Sequence, residues 1–281
     1  MIPKPTHFNL IGIREGLRTD WNGFGEWKTN CHLIWLRSKA WAPKNNSRLQ
    51  FLGYNVRITD GPNFYMQFKD EFVRRIYDFQ SERANPLIID GGSNIGMSLL
   101  CFKHRYPNAR IIAFEPDPEI FRILEENVRR NSLKDVRLIN AGLDEKSGET
   151  AFVPDGSAGG HLGNGKNSVT VRSERLSDYL DQEVDFLKLN IEGQELAVLQ
   201  EVEHRGRLRN IRELVLEYHG WANGKQYLGD ILNLLDREGF RYFVHDFDEE
   251  TCPTSKPPFH WTPEAVWFCL VYARRVEGKS S

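Results

Sequence analysis

The chain has 281 residues, 40% apolar, 12% aromatic and 27% charged, with 37 basic against 39 acidic side chains and a formal charge of −2. These proportions exclude a disordered, collagenous or coiled-coil chain. A near-neutral balance supplies no field to gather a polyanion, so nucleic acid is not the expected partner.

Residues 1–60 read as an N-terminal accessory segment. Four of the seven tryptophans, Trp21, Trp27, Trp35 and Trp41, fall there among basic and polar residues, a density that suits the core of that segment better than a ligand platform. A helix is expected near 28–41 and strands near 48–59, carrying RLQFL and YNVRI. The opening MIPKPTHFNLIGIREGLR breaks its apolar residues with prolines and charges and contains no secretory h-region. The longest uncharged apolar run, 265–273, is about half of the roughly 20 residues that a membrane-spanning helix needs. A cytoplasmic protein without membrane insertion is therefore expected. Cys31, Cys101, Cys252 and Cys269 form no CxxC pair and no zinc spacing, which makes reduced structural thiols of them.

Residues 61–275 form the expected main domain, followed by a tail at 276–281. FKDEFVRRIYDF places apolar residues at 68, 72, 73, 76 and 79, one face of a helix. From residue 86 strands and helices alternate. PLIID is a first strand, followed by a helix with Ile95, Leu99, Phe102 and Tyr106 on one side; ARIIAFE is a second strand. Asp117 then caps a helix that has Pro118 at its first position and Phe121, Leu124 and Val128 as its buried stripe. VRLINAG, VDFLKLN and ELVLEYH are the third to fifth strands, with helices near 193–204 and 225–238. The second of these helices carries the stripe Leu228, Ile231, Leu232 and Leu235. FRYFVH and AVWFCLVYA close the chain, and residues 156–165, half glycine, read as a mobile loop. This rhythm predicts an α/β fold, a mostly parallel sheet with helices on both faces, which binds ligands at the carboxyl ends of its strands.

The turn after the first strand reads Asp90-Gly91-Gly92-Ser93-Asn94-Ile95-Gly96. Its glycines allow close approach of a ligand, and the following helix start offers free N–H groups. The GxGxxG of a dinucleotide site is missing, because Ser93 or Asn94 stands where the second glycine belongs. Asp90 instead suits an ammonium group. Glu115, 25 residues on, ends the second strand, where a carboxylate can accept both hydroxyls of a ribose. Asn140, Ala141 and Gly142 leave room for an adenine edge. Taken singly, each glycine fits a plain tight turn, and Asp90 and Glu115 fit helix capping or ion pairing. Their joint placement is what points to a nucleotide.

IIDGGSNIG, FEPDPEIFRILEENVRRN and VDFLKLNIEGQELAVLQ, in this order and spacing, resemble the FkbM family of S-adenosylmethionine-dependent methyltransferases over roughly residues 60–245. The resemblance implies a Rossmann-like class I methyltransferase fold with seven strands, one of them antiparallel near the end. It implies S-adenosylmethionine as cofactor, with the turn Asp90, Gly91, Gly92, Asn94 and Gly96 at its methionine moiety and Glu115 at its ribose. It also implies transfer to a hydroxyl of a sugar, polyketide or other small molecule.

An alcohol acceptor needs a general base or a divalent cation. Strand four ends in Lys188-Leu189-Asn190-Ile191-Glu192-Gly193 and strand five in Glu217-Tyr218-His219-Gly220. The strand period puts Glu217 and His219 on one face and Tyr218 on the other. His219 is the expected base, oriented by Glu217, with Glu192 binding the acceptor or a metal. Glu192 also suits the first turn of the following helix, and His219 a backbone carbonyl. The family's usual KIDVEG is KLNIEG here, so a cation role carried over with the family's aspartate meets the neutral amide of Asn190, a weaker hard-metal ligand. The Asn-Pro-Pro-aromatic run of amino-group methyltransferases is missing, which favours oxygen as acceptor.

The loop with His161 and the stretch TCPTSKPPFHWTP, with Phe259, His260 and Trp261, are candidate covers of the acceptor pocket or plain surface packing. The expected activity is thus an O-methyltransferase acting on a small-molecule or glycan hydroxyl. A nicotinamide-dependent oxidoreductase and a cofactor-binding module without catalysis are the alternatives. Oligomeric state stays open, a homodimer included.

Overall fold

The computed structural model describes residues 47–156, 159–245 and 266–276. The expected helix near 28–41, the tryptophans Trp21 to Trp41, Cys31, Cys252 and the Phe259-His260-Trp261 stretch lie outside the described residues. The chain divides into two compact units, 1–76 and 77–281.

In the first unit, β1 (Arg48–Phe51) and β2 (Tyr54–Arg57) pair antiparallel in the register Arg48 with Arg57 and Phe51 with Tyr54. Leu52 and Gly53 both have positive φ, the geometry of a two-residue hairpin turn. Helix α1 (Gly61–Phe68) follows, capped by Asp60, which accepts from Asn63 N at 2.8 Å. It runs on as a π-helical segment, Lys69–Arg74, ended by Arg75 in the left-handed region. The helix expected from residue 68 to 79 therefore starts earlier and stops sooner. Asp60 before Gly61-Pro62 is a start signal, and the apolar spacing at 76 and 79 continued past the turn that closes the helix. Phe64, Phe68 and Phe72 stack down one side, each with an edge contact to Phe51 at centroid distances of 5.2–5.6 Å.

The second unit is built on a seven-stranded sheet. Its members are β3 (Leu87–Gly91), β4 (Arg110–Phe114), β5 (Val136–Ile139), β10 (Val184–Leu189), β11 (Ile211–Trp221), β12 (Phe240–His245) and β13 (Val266–Arg275). Their spatial order is β12-β13-β11-β10-β3-β4-β5, parallel from β11 to β5, with β13 antiparallel to both its neighbours. Strands β3 and β10 are buried along their whole length, as strands covered on both faces must be. On one face Leu187, Leu189, Leu214 and Leu216 meet Val198 and Leu199 of α4 (Glu195–His204) and Ile231, Leu234 and Leu235 of α5 (Leu228–Arg237) in one apolar core. On the other, Phe186 stacks on Phe79 at 4.4 Å and meets the edge of Phe102 from α2 (Met97–Arg105).

Helix α3 (Pro118–Arg130) is capped as expected, with Asp117 accepting from Glu119 N and Ile120 N. Its buried side differs: Ile120, Ile123, Leu124 and Asn127 face inward, while Phe121 and Val128 are only half-buried. Asn127 makes that orientation possible, because its amide donates to Ile95 O at 2.8 Å. In α5 the buried set takes Leu234 in preference to Leu232.

Between β5 and β10 the chain forms a second, four-stranded sheet of order β6-β9-β7-β8: β6 (Gly142–Leu143), β7 (Gly148–Val153), β8 (His161–Leu162) and β9 (Val169–Glu174). The expected strand over 136–142 thus breaks at Asn140-Ala141. The glycine-rich stretch expected as a loop contains β8, paired with Phe152-Val153 of β7. Short strands in which few side chains are buried carry little apolar periodicity, and only their pairing reveals them.

Candidate active site

The carboxyl ends of the parallel strands gather the candidate residues. At the end of β3 the chain turns sharply. Gly92 sits at φ +81°, and a Cβ there would overlap the Asn190 carbonyl oxygen, so neighbouring backbone packs directly against the turn. Gly96 opens α2 at φ +92°, and a side chain there would strike Leu124. Gly92 N and Ser93 N both donate to Phe114 O, at 3.1 and 2.9 Å, which locks the turn to the end of β4.

Glu115 lies just beyond β4, 6% exposed, and each of its carboxylate oxygens accepts one backbone N–H: Oε2 from Asn94 and Oε1 from Asp117, both at 2.9 Å. Burial pushes its carboxyl up to about 7 despite these donors. Asn140 turns its amide to Glu115 O at 2.8 Å and Pro116 O at 3.2 Å, Ala141 is fully buried, and Gly142 begins β6. The structure thus brings together Asn94, Glu115 and Asn140 around one corner.

Asp90 has a different environment from the rest. It is 0% exposed, takes a hydrogen bond from Ser98 Oγ at 2.5 Å and holds Lys188 Nζ at 3.0 Å. The ammonium that it grips is therefore supplied by the chain itself. Lys188 belongs to the site although the sequence reading passed over it. A lysine inside the apolar strand VDFLKL was the available signal.

At the ends of β10 and β11, Glu217 and His219 share a face, as the strand period requires. Tyr218 points into the opposite core, its hydroxyl bonded to Tyr227 N and Gln226. The partners differ from the expected ones. Glu217 Oε2 accepts from Asn190 Nδ2 at 2.7 Å and from the Tyr77 hydroxyl at 3.0 Å. The acid nearest the His219 imidazole is instead Glu192, whose Oε2 lies 3.7 Å from Nε2. His219 Nδ1 is buried without a formed hydrogen bond, facing the Glu217 backbone. The Asn190 amide and Tyr77 thus engage the Glu217 side chain, and it is the Glu217 backbone that faces the imidazole. Trp221 and Phe268 flank the imidazole at centroid distances of 6.0 and 5.8 Å.

Glu192 sits at φ +54° ahead of α4, and Glu195, at the first position of that helix, accepts from Ile191 N and Gly193 N at 3.0 Å each. The helix-start role that was one reading of Glu192 belongs to Glu195, which leaves Glu192 turned toward His219. Burial, then repulsion from Glu217, Glu195 and Asp155, pushes the Glu192 carboxyl up to about 8; burial pushes His219 down to about 4. Near neutral pH both groups are mainly uncharged, so their 3.7 Å approach is a polar contact and not an ion pair. Among the described residues no group of three or more His, Cys, Asp or Glu is arranged to hold a metal ion. Asn190 also turns its nitrogen, not its oxygen, toward Glu217.

A sheet of this order, with one antiparallel strand next to the edge and an acid at the tip of the second parallel strand, is that of the class I methyltransferases. Residues 90–242 match the Methyltransferase FkbM domain. The chain belongs to the FkbM methyltransferase family. It is similar to the methyltransferase sdnD of Sordaria araneosa, 32% identical over 51% of this chain and 71% of that protein. It is also similar to the hexuronic acid methyltransferase AglP of Haloferax volcanii, 26% identical over 72% and 84% of the two chains. The 31-O-demethyl-FK506 methyltransferase FkbM of Streptomyces tacrolimicus is 26% identical over 62% and 80%. Membership of a methyltransferase family displaces the oxidoreductase alternative. No helix among the described residues is long and apolar enough to cross a membrane.

Proposed function

We propose that the chain transfers a methyl group from S-adenosylmethionine to a hydroxyl oxygen of a small molecule or glycan. The observation that carries this reading is the convergence of His219 and Glu192 at 3.7 Å on strand ends that adjoin the glycine turn and the Glu115 corner. Two of the relatives bear on the acceptor, since their names specify a hexuronic acid and a 31-O position.

The donor set fits the cofactor. A carboxylate offers about four lone-pair positions, and the two backbone N–H groups on Glu115 use one on each oxygen, which leaves one on each for a vicinal diol. The turn Gly91, Gly92, Asn94 and Gly96 would adjoin the methionine part, with Asp90 acting from beneath it, and Asn140, Ala141 and Gly142 would border the adenine. When bound, the cofactor supplies a methyl carbon activated by its sulfonium charge.

The rest falls to this chain's residues. His219, held neutral, would take the proton of the acceptor hydroxyl at a ring nitrogen as that oxygen is methylated. Glu192, protonated at neutral pH, donates a hydrogen bond to the acceptor, and Trp221 excludes water beside the imidazole. The test is methyl transfer from labelled S-adenosylmethionine to a panel of glycosides and secondary alcohols, with wild type, His219→Ala and Glu192→Gln compared. Transfer that drops at least about 100-fold in His219→Ala supports the assignment. Unchanged transfer in both variants refutes it. Binding of S-adenosylhomocysteine with no transfer to any acceptor would favour the binding-module reading.

A further inference from the structure

Strand β10 is buried throughout, yet it carries Lys188, 3% exposed. Taking an ammonium out of water costs several kcal/mol, and an apolar side chain would fill such a position without that cost. What the charge does is shown by its partners. Lys188 lies directly across the parallel ladder from Asp90, so their side chains project from the same face of adjoining strands. Its Nζ pairs with Asp90 at 3.0 Å, donates to Gly92 O at 2.6 Å, lies 3.3 Å from Gly91 O, and stands 5.4 Å from the centre of the Tyr77 ring. Tyr77 in turn donates to Glu217.

We propose that Lys188 is a positioning residue for methyl transfer: anchored on Asp90, its ammonium fixes the Gly91-Gly92 carbonyls that floor the cofactor turn and, through Tyr77, ties that floor to Glu217 at the acceptor end. The proposal rests on the reading of the turn as the cofactor site. The ammonium is buried against the turn carbonyls and Asp90, so Lys188 shapes the site from beneath the turn. The same charge favours the ionised forms of Glu115 on one side and Glu192 on the other, as a group placed between the two ends of the site should.

The test uses S-adenosylhomocysteine as probe, with calorimetric affinity and melting temperature measured on wild type, Lys188→Met and the double variant Lys188→Met/Asp90→Asn. The single variant strands a buried carboxylate and is expected to melt early. The double variant removes both charges and is expected to recover most of the melting temperature while binding the probe at least tenfold more weakly. Binding by the double variant within threefold of wild type would overturn the proposal. A second measurement needs no variant: the side-chain ammonium ¹⁵N signal of Lys188 in the wild-type protein is expected to shift when the probe is added. A signal that stays in place while the probe binds would also overturn it. Failure of the wild type to bind the probe at all would instead count against the cofactor reading.

Discussion

The Asn190 side-chain amide donates to Glu217 Oε2 at 2.7 Å, and the Tyr77 hydroxyl donates to the same oxygen at 3.0 Å. A single carboxylate at the meeting of β10 and β11 is therefore satisfied by two neutral donors. An aspartate at position 190, as in the sequence more usual for the family, would put a second acid against the first. The amide thus sets the charge of this corner.

Asn190→Asp should accordingly weaken the fold in a pH-dependent way. Two facing carboxylates cannot both ionise at ordinary cost, so one is raised in the folded state, and the stability it contributes is present at low pH and lost as pH rises through that raised value. The variant is expected to match wild type below about pH 4 and to be less stable at pH 8 by roughly 1–3 kcal/mol. Melting curves at the two pH values check this.

The activity profile should follow His219 and Glu192. Below about 4 the imidazole charges and loses its role as base, and above about 8 the Glu192 carboxyl loses the proton that it donates in a hydrogen bond. A plateau between these limits is expected in kcat/KM for the acceptor at saturating S-adenosylmethionine. If Glu192 were the base, the rate would instead climb through the upper limit.

The same raised carboxyl has a consequence for stability. Glu192 is harder to ionise in the folded chain than at its ordinary value of 4.5, so its contribution is complete below that value and is lost as pH rises through about 8. Glu192→Gln does not titrate. Its melting temperature relative to wild type is expected to rise from pH 5 to about pH 8 and to level off above it.

Glu115 should couple cofactor binding to a proton. Ribose hydroxyls donate to the ionised carboxylate, while the free protein holds this group at about 7, so affinity for S-adenosylhomocysteine is expected to increase as pH rises from 6 to 8, with proton release on binding. Glu115→Ala should weaken binding by about 1.5–3 kcal/mol per charged hydrogen bond lost. Titration calorimetry in two buffers of different ionisation enthalpy measures both effects.

Gly92→Ala tests the turn itself. The added methyl would meet the Asn190 carbonyl oxygen in a backbone region that side chains avoid, so a loss of about 3 kcal/mol or more is expected. Soluble yield and melting temperature report it, and a variant as stable as wild type would show that the close approach of β10 to the turn is not required.

Much of the fold was legible because the parallel strands speak in runs. LIID and VDFLKL are mostly apolar and buried on both faces, and Asp117-Pro118 marks a helix start that needs no tertiary context. Helix faces were less legible: Asn127 turns inward because a carbonyl across the gap needs its amide, and a hydrophobic pattern cannot anticipate that. The four-stranded sheet was invisible for a similar reason, since its short strands β6 and β8 are defined by what they pair with.

The sequence by itself determined the order of the parallel strands and of the helices between them, the glycine turn and the acid Glu115 at their carboxyl ends, and the presence of Glu192, Glu217 and His219 at neighbouring strand ends, since each follows from residues close together along the chain. Only the tertiary structure decided the pairings: Glu217 with Asn190 and Tyr77, His219 with Glu192, Asp90 with Lys188. Those depend on strand register and on burial, which set the distance between groups 27 to 140 positions apart and the charge each can carry.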